Sequence, residues 1–153
     1  MNCSLLRSQR VFAREDGAGS DTLLQSRFRI LIVEDDFLVA SQVEMALSDA
    51  GFDVIGVAVS AEEAVARARR ERPALIVMDV RLVGERDGIH AAVEIFQEFG
   101  TRCIFATAQY DEPTRDRAKS AMPLGWLQKP YSMAALVGTV RHALKELDDH
   151  QVR

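Results

Sequence analysis

Cysteine is scarce: Cys3 and Cys103 are the only two in 153 residues, too few for a disulfide framework. Cys103 sits in the apolar run Cys103-Ile104-Phe105-Ala106, where a thiol reads as a small buried hydrophobe. A reducing cytoplasm suits both. Long hydrophobic runs are also missing. The longest are of strand length, far short of the ~20 apolar residues a bilayer-spanning helix needs, so no membrane association is expected. Positive charge is not in excess either: 19 Lys and Arg stand against 23 Asp and Glu, a formal net charge of -4. The arginines alternate with acids instead of massing, which removes the electrostatic footprint of nucleic-acid binding. What remains, 48% hydrophobic and 27% charged, is the composition of one globular domain with a usable core.

Residues 1–26 carry serine, glycine and scattered charge without a sustained period and read as a disordered tail. Arg7, Arg10 and Arg14 precede any acid and lie among Leu5, Leu6, Val11 and Phe12, so a targeting peptide or interfacial helix is the competing reading. No secretory apolar core or small-residue cleavage site follows.

From Arg27 a strand-helix alternation begins and runs to Leu147. Phe28 to Val33 is β-rich and terminates in Glu34-Asp35-Asp36. Val39, Val43, Ala46, Leu47 and Ala50 then form a helical stripe closed by Gly51. Val54 to Ala58 is a second strand. Ser60-Ala61-Glu62-Glu63 is a capping box, and Arg67, Arg69 and Arg70 crowd the last turn of its helix, where cations suit the dipole. The third strand, Leu75-Ile76-Val77-Met78-Asp79, is apolar except for its terminal acid. A helix from Asp87 or Gly88 to Gly100 follows, then a strand from Arg102 ending at Thr107. Asp111, Glu112 and Pro113 are helix-start signals, but Arg115 to Ser120 offers only Ala118 to a core, which predicts a short, exposed, mobile helix. Gly125 to Gln128 is a fifth strand ending at Lys129-Pro130, and Ser132 caps a long helix carrying Met133, Leu136, Val137, Val140, Leu144 and Leu147.

Short apolar strands, each followed by a helix, imply an α/β fold: a doubly wound parallel sheet covered on both faces by right-handed crossovers. The flavodoxin-like (βα)5 order 2-1-3-4-5 would place the first and third strands side by side at the switch point. Glu34, Asp35 and Asp79 would then meet in one crevice, with Thr107 and Lys129 entering from one side. The domain is expected over 27–148, with 149–153 as a short C-terminal tail.

Several spaced features, Ile30 to Asp36, Met78-Asp79, Asp87-Gly88, Ala106-Thr107-Ala108 and Lys129-Pro130, together resemble the receiver domain of bacterial two-component response regulators. Within it, Phe105-Ala106-Thr107-Ala108-Gln109-Tyr110 is similar to the F-A-T-G-x-Y signature of a subfamily of mostly stand-alone receivers. Met122 to Gly125 and Lys129-Pro130-Tyr131 agree with that subfamily. Ala108 in place of glycine stiffens the loop, and Gln109 stands where an apolar residue is expected.

The resemblance implies that Asp79 is the phosphoacceptor, assisted by Lys129 and Thr107. It implies a Mg²⁺ site made by Glu34, Asp35, Asp79 and the backbone carbonyl of Arg81, with Glu34 acting mainly through water. Three clustered carboxylates repel, and a hard divalent cation relieves that repulsion. Asp36, one past the acidic pair, reads as a helix cap or first-turn acid. Thr107, Tyr110 and Trp126 are the expected switch residues, Trp126 being equally readable as a packing residue on an edge strand. Arg81 and Gln109 hold the positions that tune phosphoryl lifetime in the family, or are solvated surface. The family also has a cis bond at Lys129-Pro130.

The implied function is that of a stand-alone response regulator. A histidine kinase or histidine phosphotransfer protein would donate the phosphoryl group, and an unknown downstream protein would read the fourth helix, fifth strand and fifth helix, unless the chain is a phosphate sink. Only a few residues follow Leu147, so no DNA-binding output domain is expected, and catalysis is limited to the chain's own Mg²⁺-dependent phosphorylation and dephosphorylation. Arg115, Arg117 and Lys119 either favour an acidic partner or are a solvated face. Two other classes compete. A phosphatase of the haloacid dehalogenase kind needs an acid two residues after the nucleophile, where this chain has Arg81. A receiver-shaped module that is never phosphorylated would not need all five site positions filled.

Overall fold

In the computed structural model, which describes residues 27–152, the alternation folds as five parallel strands: β1 (Arg29–Val33), β2 (Asp53–Ala58), β3 (Leu75–Asp79), β4 (Arg102–Thr107) and β5 (Gly125–Gln128). Their order is β2-β1-β3-β4-β5, as the doubly wound reading requires. Residues 1–26, with the tail and targeting readings placed on them, lie outside the described residues. The connecting helices are α1 (Phe37–Asp49), α2 (Ala61–Glu71), α3 (Gly88–Phe99), α4 (Glu112–Ala118) and α5 (Met133–Gln151), with a 3-10 turn at Lys119–Ala121.

Strand alternation divides the core into two. Leu31, Val33, Ile76, Met78, Cys103 and Phe105 point to the face covered by α2 and α3. Ile30, Ile32, Leu75, Val77, Ile104 and Ala106 point to the face covered by α1 and α5. With all five residues buried, β3 is apolar on both sides because helices cover both.

The helix caps follow their local chemistry. Asp36 is the N-cap of α1, its carboxylate accepting from the Leu38 and Val39 N–H groups. Ser60, Asp87, Asp111 and Ser132 cap the other four helices in the same way. At α2 the Glu63 carboxylate accepts from Val59 N–H at 3.0 Å, one residue earlier than a capping box would place it. α5 runs to Gln151, three residues past the boundary drawn at 148. No glycine or proline interrupts its end, and Arg27 binds both Asp148 (3.0 Å) and Gln151 (3.4 Å) there.

Arg67 is the main departure from the sequence reading. Instead of serving the dipole of its own helix, it reaches β2 and donates to the Ile55 and Val57 carbonyls at 3.0 Å each, while Glu71 holds its Nε at 2.7 Å. The strand register shifts here. Gly56 adopts φ +138, and a Cβ on it would lie 2.7 Å from the guanidinium. An edge bulge capped by an arginine leaves no simple periodic mark.

Gly88 sets how closely α3 approaches β3. A Cβ there would stand 1.9 Å from the Asp79 carbonyl oxygen, and the Gly88 N–H donates to Val80 O at 2.8 Å. Gly88→Ala is therefore expected to destabilise on the order of 3 kcal/mol, measured by urea denaturation. Gly138→Ala on open helix surface, with nothing within 4 Å of its Cβ, should instead stabilise by up to about 1 kcal/mol.

Candidate functional site

The C-terminal ends of β1, β3, β4 and β5 meet above the sheet, and each delivers a polar residue where its apolar run stops. Glu34, Asp79 and Thr107 are each only 5% exposed, an unusual density of buried polar groups for one sheet edge. Ligand oxygens of Glu34, Asp35 and Asp79 lie within 4.8 Å of one another. Lys129 Nζ stands 3.3 Å from Asp79 Oδ1 and 3.5 Å from Glu34 Oε2. The structure thus gathers all five predicted positions, Glu34, Asp35, Asp79, Thr107 and Lys129, at one end of the sheet.

Local backbone holds these groups in place. Asp36 N–H donates to Glu34 Oε1 at 3.1 Å, Arg81 N–H to Asp79 Oδ1 at 3.2 Å, and Val83 N–H to Asp35 Oδ2 at 3.1 Å. The last bond ties the loop after β3 to the end of β1. The Lys129–Pro130 peptide is cis, and Lys129 N–H donates to Thr107 O at 2.8 Å.

Charge is poorly compensated in this cluster. Burial, helped by repulsion from Asp79, pushes the Glu34 carboxyl up to about 7 against the hydrogen bond from Asp36 and the attraction of Lys129. The closeness of the two carboxyl groups adds to the rise of Glu34 and works against the rise of Asp79. Burial also raises Asp79, against the opposing pull of Lys129. Burial disfavours the Lys129 ammonium, yet Asp79 and Glu34 outweigh it and hold that group above its ordinary range. One ammonium among three carboxylates leaves room for a further cation. The donors are hard oxygens, the kind Mg²⁺ takes, so the residues present fit that ion.

Beside the carboxylates lies a crevice of about 230 Å³ walled by Asp79, Arg81, Thr107, Ala108, Gln109 and Lys129. Tyr110 and Trp126 are not part of its wall. They pack on each other at 5.2 Å between ring centroids, and Trp126 also meets Phe105 at 4.9 Å. Sequence reasoning missed how Thr107 is engaged: its hydroxyl accepts from Gln109 N–H at 3.1 Å and donates to Gln109 O at 3.2 Å. The Gln109 carboxamide is itself drawn to Asp111 Oδ2 at 2.7 Å. A hydroxyl two residues before a backbone amide is a known turn former, so that bond was open to inference.

Comparison with known proteins decides the family. The response regulator receiver domain profile matches residues 30–141. The chain belongs to the receiver domain family of two-component signalling. It is 33% identical over 116 residues to the transcriptional regulatory protein PdtaR of Mycobacterium tuberculosis, covering 76% of this chain and 56% of that protein. It is also 33% identical over 132 residues to the phyllosphere-induced regulator PhyR of Methylorubrum extorquens, covering 84% and 48%. The chain therefore spans about half the length of these curated relatives. Among solved structures, the signal receiver domain of a modulated diguanylate cyclase from Desulfovibrio desulfuricans G20 superposes with a TM-score of 0.73 at 33% identity, covering 80% of this chain and 98% of that one. Receivers bind Mg²⁺ at an acidic pocket, and this receiver has the corresponding carboxylate cluster. Among the described residues, no helix is long and apolar enough to cross a membrane.

The raised acids make a stability prediction for the metal-free receiver. Between about pH 4.5 and about pH 7 the folded chain keeps the Glu34 proton that the unfolded chain has released, so stability falls as pH rises through that window and the loss is complete above about 7. Asp87, Asp111 and Glu71 are shifted downward, so their opposing effects fall at lower pH. Asp79→Asn removes the like charge next to Glu34 while Lys129 keeps Glu34 as a partner. It should raise stability by about 1 to 3 kcal/mol at pH 8, with a flatter pH profile, measured by urea denaturation without divalent cations.

Proposed function

We propose that this receiver is the phosphorylation switch of a cytoplasmic two-component pathway, with Asp79 as phosphoacceptor. The observation that carries the reading is the burial of Asp79 between Glu34 and Lys129 at the mouth of a crevice large enough for a phosphoryl group. A histidine kinase or phosphotransfer protein is the donor that the family implies.

In the transfer, an Asp79 carboxylate oxygen attacks the phosphorus of a phosphohistidine. The new O–P bond forms as the P–N bond breaks, and its electron pair returns to the imidazole, which takes up a proton. Glu34, Asp35, Asp79 and the Arg81 carbonyl would hold Mg²⁺, which when bound offsets charge on the transferring oxygens. Lys129 supplies a second positive charge beside Asp79, as a compact ammonium suited to one phosphoryl oxygen. Burial strengthens each of these interactions because little water screens them.

The phosphorylated state is read through the β4–α4 loop. The Thr107 hydroxyl would leave its turn with Gln109 and engage the new phosphoryl group, carrying the loop and Tyr110 with it. Since Tyr110 rests on Trp126, and Arg115 stacks over Tyr110 at 5.2 Å, displacement of the loop changes the surface of α4, β5 and α5, where a downstream protein would bind. The F-A-T-G-x-Y-like loop supports placement with the mostly stand-alone receivers. Its Ala108 and Gln109 favour a slower rearrangement than glycine would allow.

Treatment with Mg²⁺ and acetyl phosphate should add one phosphoryl group to the wild type and none to Asp79→Asn, read by intact mass. Lys129→Ala should slow the reaction roughly 10²-fold. Phosphorylation that survives in Asp79→Asn at the wild-type rate would refute the assignment.

A further inference from the structure

α4 is held by little besides polar contacts. Of its seven residues only Ala118 is buried. A groove of about 490 Å³ separates it from α3, lined by Ile89, His90, Val93, Gln97, Arg117 and Ser120 among others. Across that groove Arg117 Nη2 meets Asp87 Oδ2 at 2.7 Å.

Asp87 is a fixed partner. Its other oxygen accepts from His90 N–H at 3.0 Å as the N-cap of α3, and its own N–H donates to His90 Nδ1 at 3.3 Å. The next residue, Gly88, is pressed against the Asp79 carbonyl and bonded to Val80 O. Arg117 thus fastens the loosely packed α4 to the turn that carries the phosphoacceptor strand.

We propose that the Arg117–Asp87 ion pair is a latch that holds α4 and the β4–α4 loop in their unphosphorylated arrangement, so that breaking it is part of the work of switching. This rests on Asp79 being the phosphoacceptor. Arg117 acts as a positioning residue: it touches neither the carboxylates nor the crevice wall, and it acts through the loop whose Thr107 hydroxyl is occupied by Gln109. A ligand favouring the switched arrangement must offset whatever holds the other one, and removal of a restraint shifts the population accordingly. The pair is partly exposed, with side chains 46% and 26% accessible, so its effect is modest and salt-sensitive.

The test compares wild type, Arg117→Gln and Arg117→Lys. In unphosphorylated Arg117→Gln, amides of residues 109–118 should exchange faster. With Mg²⁺ and acetyl phosphate, the variant should phosphorylate roughly two- to fivefold faster than wild type, with unchanged Mg²⁺ affinity. Arg117→Lys should return towards the wild-type rate. Added salt should raise the wild-type rate towards that of Arg117→Gln and leave the latter unmoved. Equal rates in wild type and Arg117→Gln, or a gain accompanied by altered Mg²⁺ affinity, would overturn the latch. A wild type that takes no phosphoryl group at all would overturn the phosphoacceptor assignment beneath it, whereas unchanged exchange in a protein that does phosphorylate overturns the latch alone.

Discussion

Two carboxylates buried side by side with one ammonium between them are the constraint on which the rest of this receiver depends. Glu34 and Asp79 are each 5% exposed, and Lys129 reaches both. An isolated buried carboxylate is strongly disfavoured, and a pair more so. The protein tolerates them through backbone donors from Asp36 and Arg81, the Lys129 charge and a proton retained on Glu34. A sheet edge without function would gain stability from apolar or neutral residues at these positions.

The surrounding structure keeps that cluster together. The 2-1-3-4-5 order sets β1 beside β3, so acids that are 45 positions apart in the chain become neighbours. Gly88 lets α3 close on β3, and the Val83 amide closes the loop over Asp35. On the other side, Lys129 N–H is bonded to the Thr107 carbonyl, which links the ammonium-bearing turn to the strand that carries the hydroxyl. The same links connect chemistry at Asp79 to α4, whose only buried residue is Ala118 and which is therefore held by few apolar contacts.

Much of this was legible in the sequence. Strand-terminal Glu34, Asp79 and Thr107 stood out because each ends an apolar run that must be buried, and caps such as Asp36, Ser60 and Ser132 announce themselves by local chemistry. The short, weakly apolar α4 followed from Ala118 being alone. The contacts that span the fold did not show. Arg67 looked like a dipole-serving surface cation because its role depends on a bulge at Gly56 that no period reveals. Arg117 looked like one of several charges on an exposed helix, since Asp87 lies 30 residues away. The long α5 overran its expected end because nothing in Asp148 to Gln151 stops a helix and Arg27 holds it there.

The central claim is that the carboxylate charge of the Glu34, Asp35 and Asp79 cluster, which Lys129 alone does not neutralise, is what recruits the cation and readies the site. The most direct measurement is calorimetric titration of Mg²⁺ in buffers of different ionisation enthalpy at about pH 6 and about pH 8.5. The account predicts saturable binding that releases close to one proton at the lower pH, where Glu34 holds it, and almost none at the higher pH, with tighter binding there. Binding without proton release at the lower pH, or no binding by the wild type at either, would contradict it.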